Sequence, residues 1–211
     1  MITPKLTSIQ IGKTQTYTDD QGTWETGFFK VPVSGSVFVG VTGLEGDSQA
    51  NKKHHGGPEK AVLVYSADHY PKWKEELGRK LPYGGFAENL TVSGLNEATV
   101  CIGDAYQIGE VQLQVTQARV PCSKIPRRWG MPDLLERVLE TGRFGWYCRV
   151  LQEGQVEAGL PVVLIEQPYP DWSAARAFEA YTQRRMMQSA ASELAGLELL
   201  SEDWRRDLTQ S

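Results

Sequence analysis

The segment Arg119-Val120-Pro121-Cys122-Ser123-Lys124 places a thiol between two cations. Nearby positive charge raises the thiolate fraction of a cysteine, and a thiolate can serve as nucleophile, redox group or soft metal ligand. The plainer role of a free cysteine is that of a small buried hydrophobe. Just upstream, Gln112-Leu113-Gln114-Val115-Thr116 alternates polar and apolar residues, which predicts a half-buried strand. Pro121 has no N–H to donate to a sheet, so that strand ends or reaches an edge before it. Cys122 then falls where strand passes into loop, the usual place for chemistry held by a rigid scaffold. The local sequence leaves these uses of the thiol open.

Two other stretches carry polar groups that a site can use. The run from Gly43 to Lys60 is too long and polar for a simple turn, and loops of this kind are usually functional or disordered. It brings His54 and His55, two of the three histidines in the chain, beside Gly56-Gly57, a pairing that suggests backbone closely approaching a ligand. In Gly84-Gly85-Phe86-Ala87-Glu88-Asn89-Leu90-Thr91-Val92, two poor strand formers, Glu88 and Asn89, precede an apolar alternation. Such residues either cap a turn or point into a pocket.

Composition sets the frame for these groups. A chain of 211 residues holds one large domain, or a domain with an appendage. The formal net charge of −4 argues against nucleic-acid binding as the main activity, while leaving room for a local basic pocket. No apolar run is long enough to span a bilayer, and the N-terminus lacks the apolar core of a secretory signal. The three cysteines, Cys101, Cys122 and Cys148, are odd in number and widely spaced, which fits neither a disulfide framework nor a four-thiolate metal site. A reducing cytoplasm is the expected setting.

The elements that must position these residues are short strands. Candidates are Lys5 to Ile9, Thr26 to Val33, Ser36 to Val41, Ala61 to Tyr65, Thr99 to Ile102, Ala105 to Ile108, Val111 to Thr116, Trp146 to Leu151 and Leu160 to Glu166. Asp19-Asp20-Gln21-Gly22, Gly103-Asp104, Gly109-Glu110 and Glu153-Gly154 supply turns. Many short strands with frequent glycine predict a barrel or sandwich. Helices are predicted over Ala67 to Gly78, with Tyr70, Trp73 and Leu77 on one face, and from Pro132-Asp133 to Gly142, with Leu134, Leu135, Val138 and Leu139 inward. Cys101 and Cys148 lie in apolar strands and read as core. Composition shifts at Gln167-Pro168-Tyr169-Pro170, and helix formers dominate thereafter. Asp171 is the expected cap of a helix to about Arg185, Ser189 to Leu197 gives a second, and Ser201 caps a third.

Five segments recur in this order in a known family. They are Gly43-Leu44-Glu45-Gly46-Asp47, His55-Gly56-Gly57-Pro58-Glu59-Lys60-Ala61-Val62, Phe86-Ala87-Glu88-Asn89-Leu90, Ile102-Gly103-Asp104 and Arg119-Val120-Pro121-Cys122-Ser123-Lys124. The order resembles the MOSC domain, found in molybdenum-cofactor sulfurases and amidoxime-reducing enzymes. The ending around Leu200-Ser201-Glu202-Asp203-Trp204-Arg205 is similar to that of the stand-alone bacterial YiiM-type members.

The resemblance implies a mainly β fold: a MOSC-type β-barrel with a few short helices over residues 1–166, a linker at 167–170, and a three-helix appendage over 171–211. It further implies a pyranopterin molybdenum cofactor with Cys122 as protein ligand to molybdenum, in keeping with soft thiolate chemistry. Lys60, Arg119, Lys124 and the Gly56-Gly57 turn are expected around the cofactor phosphate, with Asn89 in its pocket. Glu88 and His55 are expected to line it as hydrogen-bonding groups, His55 also as a catalytic proton donor.

The activity implied is reduction of N-hydroxylated compounds, purine bases among them. Phe86 or Trp129 is a candidate to stack on such a base. The chain carries no cluster-binding cysteine set and no glycine-rich dinucleotide fingerprint, so an external flavin or iron–sulfur reductase is the expected electron donor. Two other roles compete: a carrier of persulfide sulfur or cofactor on Cys122, and a cofactor-free nucleophile with Cys122 activated by His55.

Overall fold

The computed structural model describes residues 3–20, 22–48 and 56–210. His54 and His55 therefore lie outside the described residues. The strands are β1 (Lys5–Ile11), β2 (Gln15–Asp19), β3 (Gly22–Thr26), β4 (Val31–Val33), β5 (Val37–Gly40), β6 (Gly43–Leu44), β7 (Val62–Ser66), β8 (Leu90–Ser93), β9 (Ala105–Ile108), β10 (Val111–Ala118), β11 (Trp146–Gln152), β12 (Gly154–Val156) and β13 (Val163–Glu166). The helices are α1 (His69–Leu77), α2 (Lys124–Trp129), α3 (Leu134–Thr141), α4 (Ala174–Thr182), α5 (Gln188–Ala195) and α6 (Glu202–Thr209).

Eight strands form one mixed sheet in the order β13-β9-β10-β11-β7-β8-β1-β4. Its two end strands do not pair with each other, so the barrel expected from the sequence is not formed. The strands β12-β5-β6 form a second sheet and β2-β3 a separate hairpin, so neither joins the ends of the large sheet. Pairing is antiparallel except between β7 and β8, which run parallel with Val64 opposite Leu90. Helix α1 makes the crossover that a parallel pair requires.

Local sequence accounts for most of these elements. Gly78 ends α1 and Gly142 ends α3, each in the left-handed conformation that relieves a helix C-terminus. Ser201 caps α6 as expected, its Oγ accepting from Trp204 N at 3.3 Å. The cap of α4 is Ser173 rather than Asp171: Ser173 Oγ accepts from Arg176 N at 3.2 Å. In α3, Leu134 and Val138 are buried, whereas Leu139 of the expected inner face is exposed.

Two predicted strands are not formed as read. The stretch 26–33 breaks after Thr26 because Gly27 packs against the backbone of Ser48, where a Cβ would stand 2.0 Å from the carbonyl oxygen. The chain resumes as a strand only at Val31. The stretch 99–102 is held by other partners. Thr99 and Val100 N–H donate to Asn96 O, Ile102 N donates to Trp172 O at 2.8 Å, and Cys101 forms an isolated bridge with Ser173.

One apolar cluster runs from Leu6, Ile9 and Leu90 through Val115 and Trp146 to Ala174, Ala177, Leu194 and Trp204, so the C-terminal helices share a core with the sheet. Cys101 and Cys148 sit in or beside it, as predicted. Burial pushes the Cys101 thiol up to about 11 and raises Cys148 as well, so both stay protonated and unreactive near neutrality.

Candidate functional site

Strand β10 ends at Ala118, and residues 119–123 carry the chain off the sheet to α2. Arg119 N donates to Gly145 O at 3.0 Å, which pins the first residue of this loop to the start of β11. Gly145 makes that approach possible: its φ is +83°, and a Cβ there would meet Val64 O at 2.5 Å. Cys122 follows at the helix entrance, half-buried, its carbonyl accepting from Ile125 N at 3.1 Å. Helix α2 was hidden in the sequence by Pro126, which sits in its first turn, where the missing N–H costs nothing.

Cys122 lies on a wall between two clefts. The first is lined by Lys30, Gly56, Lys60, Asn89, Arg119 and Lys124, together with Thr26, Phe28, Ala87 and Tyr147. The structure thus brings together Cys122, Lys60, Asn89, Arg119, Lys124 and Gly56 of the expected set. Gly57 does not line this cleft. Its φ of +85° serves the turn before Pro58–Lys60, and a Cβ there would meet nothing within 4 Å.

Glu88 sits behind the cleft, wholly buried. It accepts from the Tyr70 hydroxyl, from Gly84 N at 2.7 Å, from Phe86 N at 3.1 Å and from Thr91 Oγ1 at 3.0 Å. It therefore ties the turn preceding β8 and leaves Asn89 to face the cavity. Asn89 is itself locked: Oδ1 accepts from Leu63 N at 3.2 Å, and Nδ2 donates to Asp47 Oδ2 at 2.9 Å. Phe86 is buried in a stack on Tyr65, centroids 4.6 Å apart, and Trp129 packs beside Arg79 and Arg128. Neither lines a cleft with Cys122, whereas Phe28 and Tyr147 do.

Four cations and no carboxylate line the first cleft among the described residues. Lys30 is buried and held by Asp47, which also accepts from Gly12 N at 2.8 Å. Burial lowers the Lys30 pKa, while the Asp47 charge opposes that shift. Lys60 pairs with Asp203 across the cleft margin, 2.7 Å apart. Lys124 donates to a backbone carbonyl, Glu25 O, at 3.3 Å. Arg119 is only 3% exposed, yet its buried Nη1 has no hydrogen-bond partner. A buried guanidinium nitrogen without an acceptor is costly, and an anion in this cleft is the natural remedy.

Lys30 and Asp47 were missed from the sequence because neither burial nor pairing across 17 residues is visible in residue types. Ala87 was missed as well. Its φ of +65° is the one positive value at a non-glycine residue among those described, and strain of this kind gathers at functional sites.

The second cleft opens on the other side of Cys122, toward the C-terminal helices. Gln117, Val120, Cys122, Tyr147 and Tyr181 line it, together with the cations Lys60, Lys124 and Arg206 and the carboxylates Asp203 and Asp207. Tyr181 stacks on Trp204, centroids 4.0 Å apart and planes 7° from parallel, and its hydroxyl donates to Asp207 Oδ2 at 2.7 Å. Among the described residues no group of three His, Cys, Asp or Glu side chains can hold a metal ion, so Cys122 enters the site as a single soft donor. No helix of the described residues is long and apolar enough to cross a membrane.

Comparison with known proteins gives a consistent picture. The family model of the MOSC domain matches residues 51–163. The chain is 40% identical to the uncharacterized protein YflK of Bacillus subtilis, over 94% of this chain and 90% of that one. It is 41% identical to a protein of Gibberella moniliformis named Reductase, over 69% of this chain but 26% of the fungal one. The crystal structure of YiiM from Geobacillus stearothermophilus superposes with a TM-score of 0.83 at 35% identity, covering 98% of each chain.

Proposed function

The chain belongs to the MOSC domain family, and from that premise we propose that it is a molybdenum-cofactor-dependent reductase of N-hydroxylated compounds, N-hydroxylated purine bases among them. The observation that carries the reading is the first cleft, where four cations, among them Arg119 with its orphan Nη1, surround a half-buried thiol in a chain of net charge −4. An anionic ligand with a thiophilic centre fits this set. The pyranopterin molybdenum cofactor has both properties, a phosphate and a dithiolene-bound metal. Its kinship with a protein named Reductase adds support for redox chemistry.

Each wall residue then has a task. Arg119 Nη1 is the donor left over for a phosphate oxygen, and Lys124 adds charge that no ion pair among the described residues takes up. Asn89 is held by Leu63 and Asp47, which fixes the pocket wall without loss of entropy on binding. Cys122 Sγ supplies the protein ligand. When bound, the cofactor supplies a metal centre able to take oxygen from an N–OH group. The net change, R–NH–OH plus two electrons and two protons giving R–NH2 and water, needs both electrons and protons. Lys30 Nζ is a proton-bearing group on this wall whose hold on its proton is weakened by burial. The electrons come from an external flavin or iron–sulfur reductase.

The test is metal and pterin analysis of protein made in a molybdenum-replete host, for wild type and Cys122→Ala. Stoichiometric molybdenum and pterin in wild type, with metal lost in the variant, is the expected result. Absence of both from wild type, in a host shown to make the cofactor, would end the reading and favour persulfide carriage on Cys122.

A further inference from the structure

Gln117 is the last but one residue of β10, 4% exposed, and it lines the second cleft together with Cys122. Its Nε2 donates to Ala118 O at 3.4 Å, while its Oε1 is buried without any hydrogen-bond partner. A buried amide oxygen left without a donor carries a desolvation cost that proteins seldom leave uncompensated. Arg119, two residues on, shows the complementary situation in the first cleft, where a donor lacks an acceptor. One orphan is an acceptor and the other a donor, and their residues line different clefts that share Cys122.

We propose that the second cleft is the substrate site, and that Gln117 Oε1 selects a planar ligand bearing an N–H next to the group presented to Cys122. The substrate class rests on the reductase reading above. N-hydroxylated amidines and aminopurines carry such an N–H, and their flat faces suit the aromatic wall of Tyr147 and Tyr181. Cys122 lines both clefts, so a cofactor whose phosphate was held in the first and a base held in the second would lie on either hand of this one residue. Gln117 is a specificity-determining residue in this arrangement, comparable in chemistry to the amide side chains that read the hydrogen-bonding edge of adenine. The C-terminal helices contribute the far wall through Tyr181 and Asp207, which gives them a place in substrate binding.

The test uses full-length protein from a host unable to make the cofactor, with adenine as the probe. Adenine is expected to slow alkylation of Cys122 by iodoacetamide at least tenfold, followed by mass spectrometry so that buried Cys101 and Cys148 are counted apart. N6,N6-dimethyladenine, which lacks the exocyclic N–H, is expected to protect weakly. Gln117→Met removes the acceptor at similar volume and should weaken adenine binding at least tenfold by calorimetry, while Gln117→Glu restores it. Val120→Trp, at an exposed position on the same wall, fills the cleft without touching the core and should abolish binding. Adenine affinity unchanged in both Gln117→Met and Val120→Trp, or no adenine binding to wild type, would overturn the assignment. Metal and pterin analysis fails or succeeds separately: cofactor present with no ligand in this cleft sinks only the present inference, whereas adenine protection in a protein that never loads molybdenum sinks only the reductase.

Discussion

Lys60 Nζ and Asp203 Oδ2 lie 2.7 Å apart across 143 residues of chain, joining the turn before β7 to helix α6. Lys60 faces both clefts, so this ion pair fixes a cation where the sheet and the C-terminal helices meet. A neighbouring contact reinforces the junction, with Glu59 accepting from Arg149 Nη2 at 3.0 Å and from Glu202 N at 3.2 Å.

Asp203→Asn should therefore loosen Lys60 with a small loss of stability, no more than about 1 kcal/mol because Asp203 is partly exposed and screened. The Lys60 hydrogen bond holds the Asp203 carboxyl below its ordinary value of 3.8. A lowered carboxyl pKa stabilises the fold above the ordinary value, and the contribution disappears as pH falls through the folded value. Acid titration of wild type and Asp203→Asn, followed by circular dichroism, should show the two stability curves converging below about pH 4.

Glu88→Ala should be far more damaging. The carboxylate serves four donors in a fully buried turn, and its removal leaves Gly84 N and Phe86 N unsatisfied. A loss of about 3 kcal/mol or more is expected in urea denaturation. If stability is unchanged, the turn is held by something other than Glu88.

Arg119→Met should weaken binding of pyrophosphate to cofactor-free protein by about tenfold or more, since a charge-assisted donor is lost. Arg119→Lys should recover only part of it, because an ammonium cannot reproduce the planar fork. The Met variant should be no less stable than wild type, as the orphan Nη1 is removed with the charge. Calorimetry and thermal melting read the two effects separately.

Ala87 occupies left-handed backbone on the wall of the first cleft. Ala87→Gly should lie within about 0.5 kcal/mol of wild type, since relief of strain offsets greater freedom in the unfolded chain. Ala87→Val should cost about 1–3 kcal/mol, because a branched Cβ is poorly tolerated at positive φ. Denaturation midpoints of the pair distinguish strain from simple loss of packing.

Some of this was legible in residue order and some could not be. Cys122, Arg119, Lys124, Asn89 and Lys60 stand in motifs whose residue types announce their chemistry, and the fold gathers them. Gln117 and Lys30 give no such signal, because their significance is burial, which depends on strands far away in sequence. The individual strands β7, β9, β10 and β11 could be read from alternation and turns, since those are local. Closure of the sheet could not, because it depends on whether β4 and β13 meet, a matter of long-range packing. Helix α2 escaped because Lys124-Ile125-Pro126-Arg127-Arg128-Trp129 carries a proline, which reads as a helix breaker, although here it sits in the first turn of one.

The first cleft draws its lining from six separated stretches, from Thr26 to Tyr147, with Asp203 steadying one of its cations from further away still. An unfolded chain holds no version of this surface. Whatever binds there binds only the folded state, so occupancy acts as a staple on the whole molecule: ligand at one hundred times its Kd adds about 2.7 kcal/mol to folding stability. Loaded and empty protein should therefore differ in melting temperature and in resistance to proteolysis.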